Sequence, residues 1–415
     1  MIRLNTSIRS RTLQETLAEA RVYADRFGVS QVRDITSLDR VGLPVFCSHR
    51  PQAGSQAMGL HSGKGVHPDE ARVGAYMEAI EVSLAMQGAV GMEVVNAVPE
   101  EIYEGKMRAA AILDFCPLKG KQIALDLAIP AVQAKDLATQ CTFLVPAERV
   151  FVPFTSQNPA AHLFLPSSNG LASGNTALEA QAHGILEVIE RDIHSFHSIH
   201  GKAHFVHPDS FPSNAGYMAE KIATAGLHLF VRFVPNAFGI PTFLAYLHEA
   251  DNPALPQLMF GMGCHPDKSI ALARAISEAV QSRLVTIYRK VLAEQEGAQL
   301  APEVRLAPTA YQKAAEVVAE SKNAISFDQI PSLGLPSSTP GAFLEGLLNL
   351  LREKGFPHVL HVPFTTPEEP LQVCRIIIPR MEHYKPSAPH IGQRLSTFAN
   401  QHLSASKVDS LEAEG

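Results

Sequence analysis

The sequence predicts an α+β fold in which mixed sheets are packed with long helices. Short apolar runs that end in proline or glycine read as strands, and two long stretches, near Asn175–His200 and Lys268–Ala293, carry helical periodicity. With 415 residues, 46% of them hydrophobic, the chain can build two or three packed subdomains around a sizeable core. The expected organisation is an N-terminal helix-strand segment over 1–60 packed on the body, a main domain over 61–395, and a polar C-terminal tail over 396–415.

Taken in order, Thr12–Phe27 has helical apolar spacing, and Gly28 supplies the stop. Leu43–Phe46 is a short apolar run, Gln52–Gly65 a polar glycine-bearing loop, and Asp69–Gln87 a helix. Gln122–Ile129 and Val150–Phe154 read as strands. A Ser/Asn/Gly-rich turn from Ser167 leads to Asn175-Thr176, an N-cap candidate for the long helix that follows. Strands are expected at Leu227–Val234, Ile240–Leu247 and Leu258–Gly263, ahead of the second long helix. Ile330–Gly341, rich in proline and serine, reads as a surface loop before a short helix ended by Gly355. Strands near Val359–Val362 and Val373–Ile378 close the fold, and the polar stretch after Gln401 is expected to fray.

Composition removes several function classes. A net charge of -6 leaves no global basic field to hold nucleic acid, so no nucleic-acid partner is expected. No segment approaches the ~18 apolar residues of a membrane span, and the start lacks a signal-peptide core, so a cytoplasmic protein without membrane contact is expected. Cys47, Cys116, Cys141, Cys264 and Cys374 stand singly, without a C-x-x-C pair, and read as small buried hydrophobes. Neither a G-x-S-x-G elbow nor a G-x-G-x-x-G loop occurs. Ser62-Gly63-Lys64-Gly65 is not a Walker loop, because Met58 stands where its first glycine belongs and Gly65 where Ser or Thr should follow the lysine. Lys64 is either a phosphate contact or a solvated turn residue.

The informative anomaly is a stripe of carboxylates. At 100° per residue, Glu179, His183, Glu187 and Glu190 fall within roughly 80° of one another on one helix face, while Leu178, Ala182, Ile185 and Ile189 point elsewhere. No lysine occurs in that helix to neutralise them. Glu78 and Glu81 form a second i,i+3 pair on the earlier helix, and Arg274, Glu278 and Gln281 share one face of the later one. Magnesium, which takes one or two carboxylates plus phosphate oxygens and water, would supply the missing positive charge. Arg274 and Arg191 are then candidates for bidentate phosphate contact. The competing reading is that amphipathic helices ordinarily expose their carboxylates to water. His194, His197 and His200 sit near the helix end, where cationic side chains are favoured, and lack the H-E-x-x-H arrangement of a metal site.

Ser168-Asn169-Gly170-Leu171-Ala172-Ser173-Gly174-Asn175-Thr176, followed by Glu179-Ala180 and Glu187-Val188-Ile189-Glu190-Arg191-Asp192, closely resembles the signature of the YcaO family. Gly63-Lys64-Gly65 with Glu78-Ala79-Ile80-Glu81 is similar to its earlier motif, and Arg274 with Glu278, Gln281 and Arg283 to its later one. The resemblance runs roughly from Gly28 to Arg394. It implies a YcaO-type fold whose ATP site has no Walker loop, with Glu78, Glu81, Glu179, Glu187 and Glu190 linked to magnesium. Asn175, Arg191, Arg274 and Glu278 would contact nucleotide, with Lys64 and Gln281 as further candidates.

Family members activate a peptide backbone amide: a nucleophile adds to the carbonyl, ATP phosphorylates the resulting oxygen, and phosphate leaves. A neighbouring Cys, Ser or Thr gives an azoline, and external sulfide gives a thioamide. The segment Gly28–Val45 is similar to members paired with TfuA-type proteins, which are linked to thioamide formation. The chain ends Ser410-Leu411-Glu412-Ala413-Glu414-Gly415 rather than in the proline-rich C-terminus of many azoline-forming members, which favours sulfur insertion. The resemblance also implies a peptide substrate, a separate TfuA-like sulfur-delivery or other accessory protein, and a homodimer. The alternatives are a cyclodehydratase, an ATP-dependent ligase or kinase using the same glutamates on a small substrate, and a non-catalytic accessory protein.

Overall fold

The computed structural model describes residues 1–29, 31–50, 59–99, 101–102, 111–124, 126–158, 162–249, 258–296, 324–385 and 388–412. The expected loop from Gln52 lies outside them as far as Met58. In chain order the elements begin β1 (Ile2–Arg3), β2 (Ile8–Arg9), α1 (Leu13–Asp25), β3 (Gln31–Asp34), β4 (Val45–His49), β5 (Leu60–Lys64) and α2 (Pro68–Leu84). Next come β6 (Val95–Ala97), β7 (Ile129–Asp136), β8 (Thr142–Pro146), β9 (Leu171–Gly174) and α3 (Ala177–His200). They are followed by β10 (His204–Val206), α4 (Ser213–Thr224), β11 (His228–Phe233), β12 (Thr242–His248), β13 (Leu258–Cys264), α5 (Lys268–Glu296) and β14 (Ala324–Ile325). The chain closes with α6 (Pro340–Glu353), β15 (Leu360–Pro363), β16 (Gln372–Ile377), β17 (Tyr384–Lys385), β18 (Ala388–Pro389) and α7 (Gln393–Glu412). The fold is α+β, as expected, and no described helix is long and apolar enough to cross a membrane.

The chain forms two compact units, Met1–Ile80 with Ala203–Leu335, and Glu81–Lys202 with Pro336–Gly415. The first unit holds a three-stranded antiparallel sheet, β3-β4-β5, and a five-stranded sheet in the order β13-β12-β11-β10-β14. In the latter only β10 and β14 run parallel. Its core joins Val45, Phe243 and Ala245 to the α5 residues Ala271, Ala275, Ile276 and Ala279. The second unit is built on an antiparallel sheet, β6-β7-β15-β16-β9, with β8 added on β7. Helix α3 packs on β9 and β16.

Local chemistry explains the helix ends. Thr12 and Glu15 form a reciprocal capping box at the start of α1, and Gly28 takes a left-handed φ of 66° after its end. The Thr176 side chain caps α3 by accepting from Glu179 N, and Gly201 ends it at φ 66°.

Four expectations need correction. Val150–Phe154 is a turn rather than a strand, with Val150 and Phe151 buried: the amides of both bond back to Ala147 O. The strand placed at Gln122–Ile129 instead starts at Ile129, where inward and outward residues begin to alternate through Asp136. Leu60–Lys64, read as the end of a loop, pairs with β4 along its whole length. The stretch after Gln401 continues α7 to Glu412, since periodicity in a polar segment is a weak sequence signal. Among the cysteines, Cys47, Cys116, Cys264 and Cys374 are buried as expected, but Cys141 is exposed.

Candidate functional site

In the first unit the site is placed by glycines that let strands lie directly on helices. A Cβ on Gly63 would sit 1.9 Å from Ala71 O and 2.2 Å from Ala75 N of α2. On β13, a Cβ at Gly261 would meet Ala279 N at 2.2 Å, and one at Gly263 would meet Ala271 O at 2.1 Å. Gly63, the glycine beside Lys64, therefore serves a close backbone approach. With β5 and α5 held this way, Lys64 Nζ reaches Glu278 Oε2 at 2.6 Å, and Gln281 Nε2 donates to Ser62 O at 2.7 Å and Ser62 Oγ at 2.9 Å. The Ser62 amide in turn donates to Glu78 Oε2 at 2.8 Å.

The structure thus brings Lys64, Glu78, Glu278 and Gln281 together, and the solvated-turn reading of Lys64 fails. Burial pushes the Glu78 carboxyl up. The Ser62 amide, Lys64 and Arg289 pull it down, while Glu278 adds to the rise. Arg274 lies on α5 one turn before Glu278, and its Nε is buried with no hydrogen-bond partner. Arg283 has a different role: it binds Asp39 at 2.8 and 3.1 Å and Glu249 at 2.7 Å, locked into a buried ion cluster.

In the second unit β9 runs straight into the α3 cap, with Gly174 so close to the helix that a Cβ would meet Glu179 Cβ at 2.6 Å. Asn175 gives its backbone and side-chain N–H groups to Glu179 Oε2 at 3.0 and 3.1 Å. Glu81, at the end of α2, accepts from the Ser173 hydroxyl. Arg191 Nη2 lies 3.5 Å from Glu190 Oε1. The acidic stripe is not a solvated face, since Glu179 is only 5% and Glu190 3% exposed. Leu178, expected in the apolar stripe, is instead 39% exposed, whereas Ala182, Ile185 and Ile189 are buried. His197 and His200 pack ring to ring at 5.7 Å, and His200 meets Phe398 at 5.8 Å, so the last turn of α3 is an aromatic contact.

Sequence reasoning missed Arg375 and Lys385. Arg375 is fully buried on β16, donating to Val150 O at 3.1 and 2.9 Å and to Asn169 O at 2.9 Å. Burial and the neighbouring Arg149 lower its pKa to about 9, while Glu187, Cys374 and Glu81 act the other way. Lys385 is lowered by burial and by Arg191, and Glu187 opposes the shift. Arginine inside the apolar run Val373-Cys374-Arg375-Ile376-Ile377 was the available signal, because a buried cation must be satisfied by fixed partners.

These residues fit magnesium and nucleotide phosphate. A buried guanidinium nitrogen without a partner suits an anionic oxygen, and a desolvated carboxylate beside a second carboxylate suits a divalent cation. Among the described residues no group of three or more His, Cys, Asp or Glu side chains is close enough to hold a metal by itself. The fit is therefore to magnesium's usual shell of one or two carboxylates with phosphate oxygens and water. A separate cleft of about 390 Å³ in the first unit, lined by Arg3, Leu13, His67, Glu70 and neighbours, contains none of the site residues.

Residues 62–382 match the family model described as YcaO cyclodehydratase, ATP- and Mg2+-binding. The chain belongs to the YcaO family. It is 30% identical over 376 residues to an uncharacterized protein of Methanothermobacter thermautotrophicus, a match covering 89% of this chain and 93% of that one. It is 28% identical over 396 residues to the "uncharacterized protein in tfuA 3'region" of Rhizobium leguminosarum bv. trifolii, covering 90% and 88%. The YcaO structure from Methanopyrus kandleri bound with AMPPCP and Mg2+ superposes with a TM-score of 0.68 at 22% identity, covering 94% of this chain and 97% of that one. A heterocyclase in complex with substrate and cofactor superposes with a TM-score of 0.75 at 18% identity, covering 95% of this chain, which spans 55% of the heterocyclase. Both superpositions establish a shared YcaO fold, and the family itself is ATP- and Mg2+-binding.

Proposed function

We propose that this YcaO protein activates a peptide backbone amide at its oxygen and replaces that oxygen with sulfur, giving a thioamide. The observation that carries ATP use is Arg274: a buried guanidinium nitrogen with no partner, one turn from the Lys64–Glu278 pair. Bound Mg-ATP would supply the phosphoryl group that turns the amide oxygen into a leaving group. In the first unit, Arg274 and Lys64 would bind phosphate oxygens, Glu278 and Gln281 would orient them, and Glu78 would hold magnesium. In the second, Glu81, Glu179, Glu187 and Glu190 would hold magnesium, with Asn175 and Arg191 contacting nucleotide. Asn175 and Ser173 already fix the carboxylates of Glu179 and Glu81, so these ligands need little reordering on binding.

Sulfur as the incoming atom is supported by the Rhizobium relative, named for its place beside tfuA, and by the sequence likeness of Gly28–Val45 to TfuA-paired members. A separate TfuA-like protein would then deliver sulfur in the cytoplasm to a YcaO homodimer. The second reading, azoline formation, is favoured by the cyclodehydratase family description and the heterocyclase fold match. Product mass separates the two. With candidate peptide, Mg-ATP and sulfide, exchange of oxygen for sulfur supports the proposal; loss of one water without sulfur uptake, or a retained phosphoryl group, overturns it.

A further inference from the structure

Three strand–helix pairs of the chain are built on one pattern: β5 with α2, β9 with α3, and β13 with α5. Close glycine contacts fix the correspondence residue by residue. A Cβ on Gly63 would meet Ala71 O at 1.9 Å and Ala75 N at 2.2 Å, and one on Gly263 would meet Ala271 O at 2.1 Å and Ala275 N at 2.7 Å. A Cβ on Gly74 would lie 3.2 Å from Gly63 Cα, and the Arg274 Cβ would lie 2.9 Å from a Cβ on Gly263. The first pair matches the β9–α3 pair through Gly65 and Gly174. A Cβ on Gly65 would sit 2.5 Å from Glu70 Cβ and 3.1 Å from Ala71 N, and one on Gly174 would sit 2.6 Å from Glu179 Cβ and 2.7 Å from Ala180 N. The braces of the two acids agree as well: Val66 N donates to Glu70 Oε2 at 2.9 Å, and Asn175 N to Glu179 Oε2 at 3.0 Å.

Counted along the helices from these anchors, Glu78, Glu187 and Glu278 occupy one shared position, and Glu81, Glu190 and Gln281 another. A third position, one turn before the shared glutamate, holds Gly74 on α2, His183 on α3 and Arg274 on α5. Exposure agrees with this alignment. From Glu179 to Glu190 every residue is buried except His183 and Glu187, and from Ile270 to Val280 every residue is buried except Arg274 and Glu278; these four are half-buried. Each helix therefore opens outward through one pair of side chains at the same two positions, a glutamate and the nitrogen-bearing group one turn before it.

We propose that His183 is the α3 counterpart of Arg274 and donates a ring N–H to a phosphate oxygen of the nucleotide, beside the magnesium held by Glu187 and Glu190. Within the stripe of Glu179, His183, Glu187 and Glu190, it alone carries a donor once the acids are ionised. Magnesium takes oxygen ligands, so an imidazole in this position serves the phosphate that accompanies the ion rather than the ion itself. The inference deepens the nucleotide site assigned above and rests on that assignment; the choice of His183 rests on the repeated geometry and the matching exposure.

The test is calorimetric titration of a non-hydrolysable Mg-ATP analogue into the full chain, for the wild type, His183→Ala, His183→Gln and Arg274→Gln, with ring-nitrogen NMR of histidine-labelled wild type assigned through His183→Gln. Losing a donor to a charged group is expected to weaken the analogue about tenfold or more in His183→Ala, and His183→Gln, which keeps an N–H, should recover part of the loss. The His183 ring signal should shift saturably with the analogue and broaden when Mn2+ replaces Mg2+, neither of which a packing role would produce. Affinity within about twofold of the wild type in His183→Ala, or a ring signal that ignores both analogue and Mn2+, overturns the assignment. Equal losses in His183→Ala and His183→Gln overturn the donor role. Should His183→Ala fold poorly, the wild-type ring signal decides the matter alone. Weakened binding in Arg274→Gln with none in His183→Ala overturns His183 and leaves the nucleotide site standing, whereas a folded wild type that does not bind the analogue overturns the site itself and the inference with it.

Discussion

Replacing Arg274 with glutamine should separate ligand binding from folding more cleanly than any other change in the first unit. The Nε of Arg274 is buried and bonded to nothing, so its removal forfeits no native hydrogen bond. Leaving a buried donor unsatisfied costs about 1–3 kcal/mol, and glutamine relieves that cost in full or in part, so Arg274→Gln should be neutral or slightly stabilising. Binding should move the other way. A hydrogen bond to a charged group contributes about 1.5–3 kcal/mol, and at about 1.4 kcal/mol per decade its loss weakens nucleotide by roughly 10- to 100-fold. Calorimetry with a non-hydrolysable Mg-ATP analogue measures the affinity, and urea unfolding of the same preparation measures the stability. Affinity changed by less than about twofold, or stability reduced by more than about 2 kcal/mol, would refute the assignment of this side chain to phosphate.

Arg283→Met on the same helix should behave oppositely. It removes the cation that holds the buried Asp39 carboxylate, while Glu249 keeps Arg40, so stability should fall by about 3–5 kcal/mol in urea unfolding while Mg-ATP affinity in the folded fraction stays the same. Glu187→Gln should leave the thermal unfolding midpoint near that of the wild type and strongly weaken Mg-ATP in calorimetry; unchanged affinity would remove Glu187 from the magnesium set. Asp136 supplies the pH test. Burial would raise its pKa, but His358, Thr139 and the amides of Val359 and Ala138 outweigh that and hold it below the usual carboxylate range. A lowered folded-state value stabilises above the unfolded pKa of about 4 and loses that stabilisation as pH falls through the folded-state value. Stability of the wild type should therefore drop in that acid window, and Asp136→Asn should flatten the drop in unfolding scans taken across it.

The strands Leu227–Val234, Ile240–Leu247 and Leu258–Gly263 and the helices from Lys268 and Ala177 were legible because apolar periodicity and capping residues act over neighbouring positions. The carboxylate stripe was legible for the same reason, as helical spacing places Glu179, Glu187 and Glu190 on one face whatever surrounds the helix. Strand β5 was missed because Leu60–Lys64 is polar and short. It is a strand because it pairs with β4 and because Gly63 admits the backbone of α2. Val150–Phe154 failed for the converse reason, since an apolar run is buried equally well in a turn as in a strand.

What the sequence determined by itself was the family, the helices that carry the acids, and the candidate residues, because these depend on identity and spacing along the chain. Tertiary structure decided what each candidate is bonded to. It paired Lys64 with Glu278, used Gln281 to hold β5, braced Glu179 with Asn175, and fixed Arg283 in an ion cluster while leaving Arg274 Nε unpartnered. Arg274 and Arg283 share a helix and a charge, and their sequence positions cannot tell them apart. They differ because carboxylates from just after β12 and from the turn after β3 reach Arg283, whereas no acceptor reaches the buried Nε of Arg274, a matter of long-range packing that no local pattern encodes.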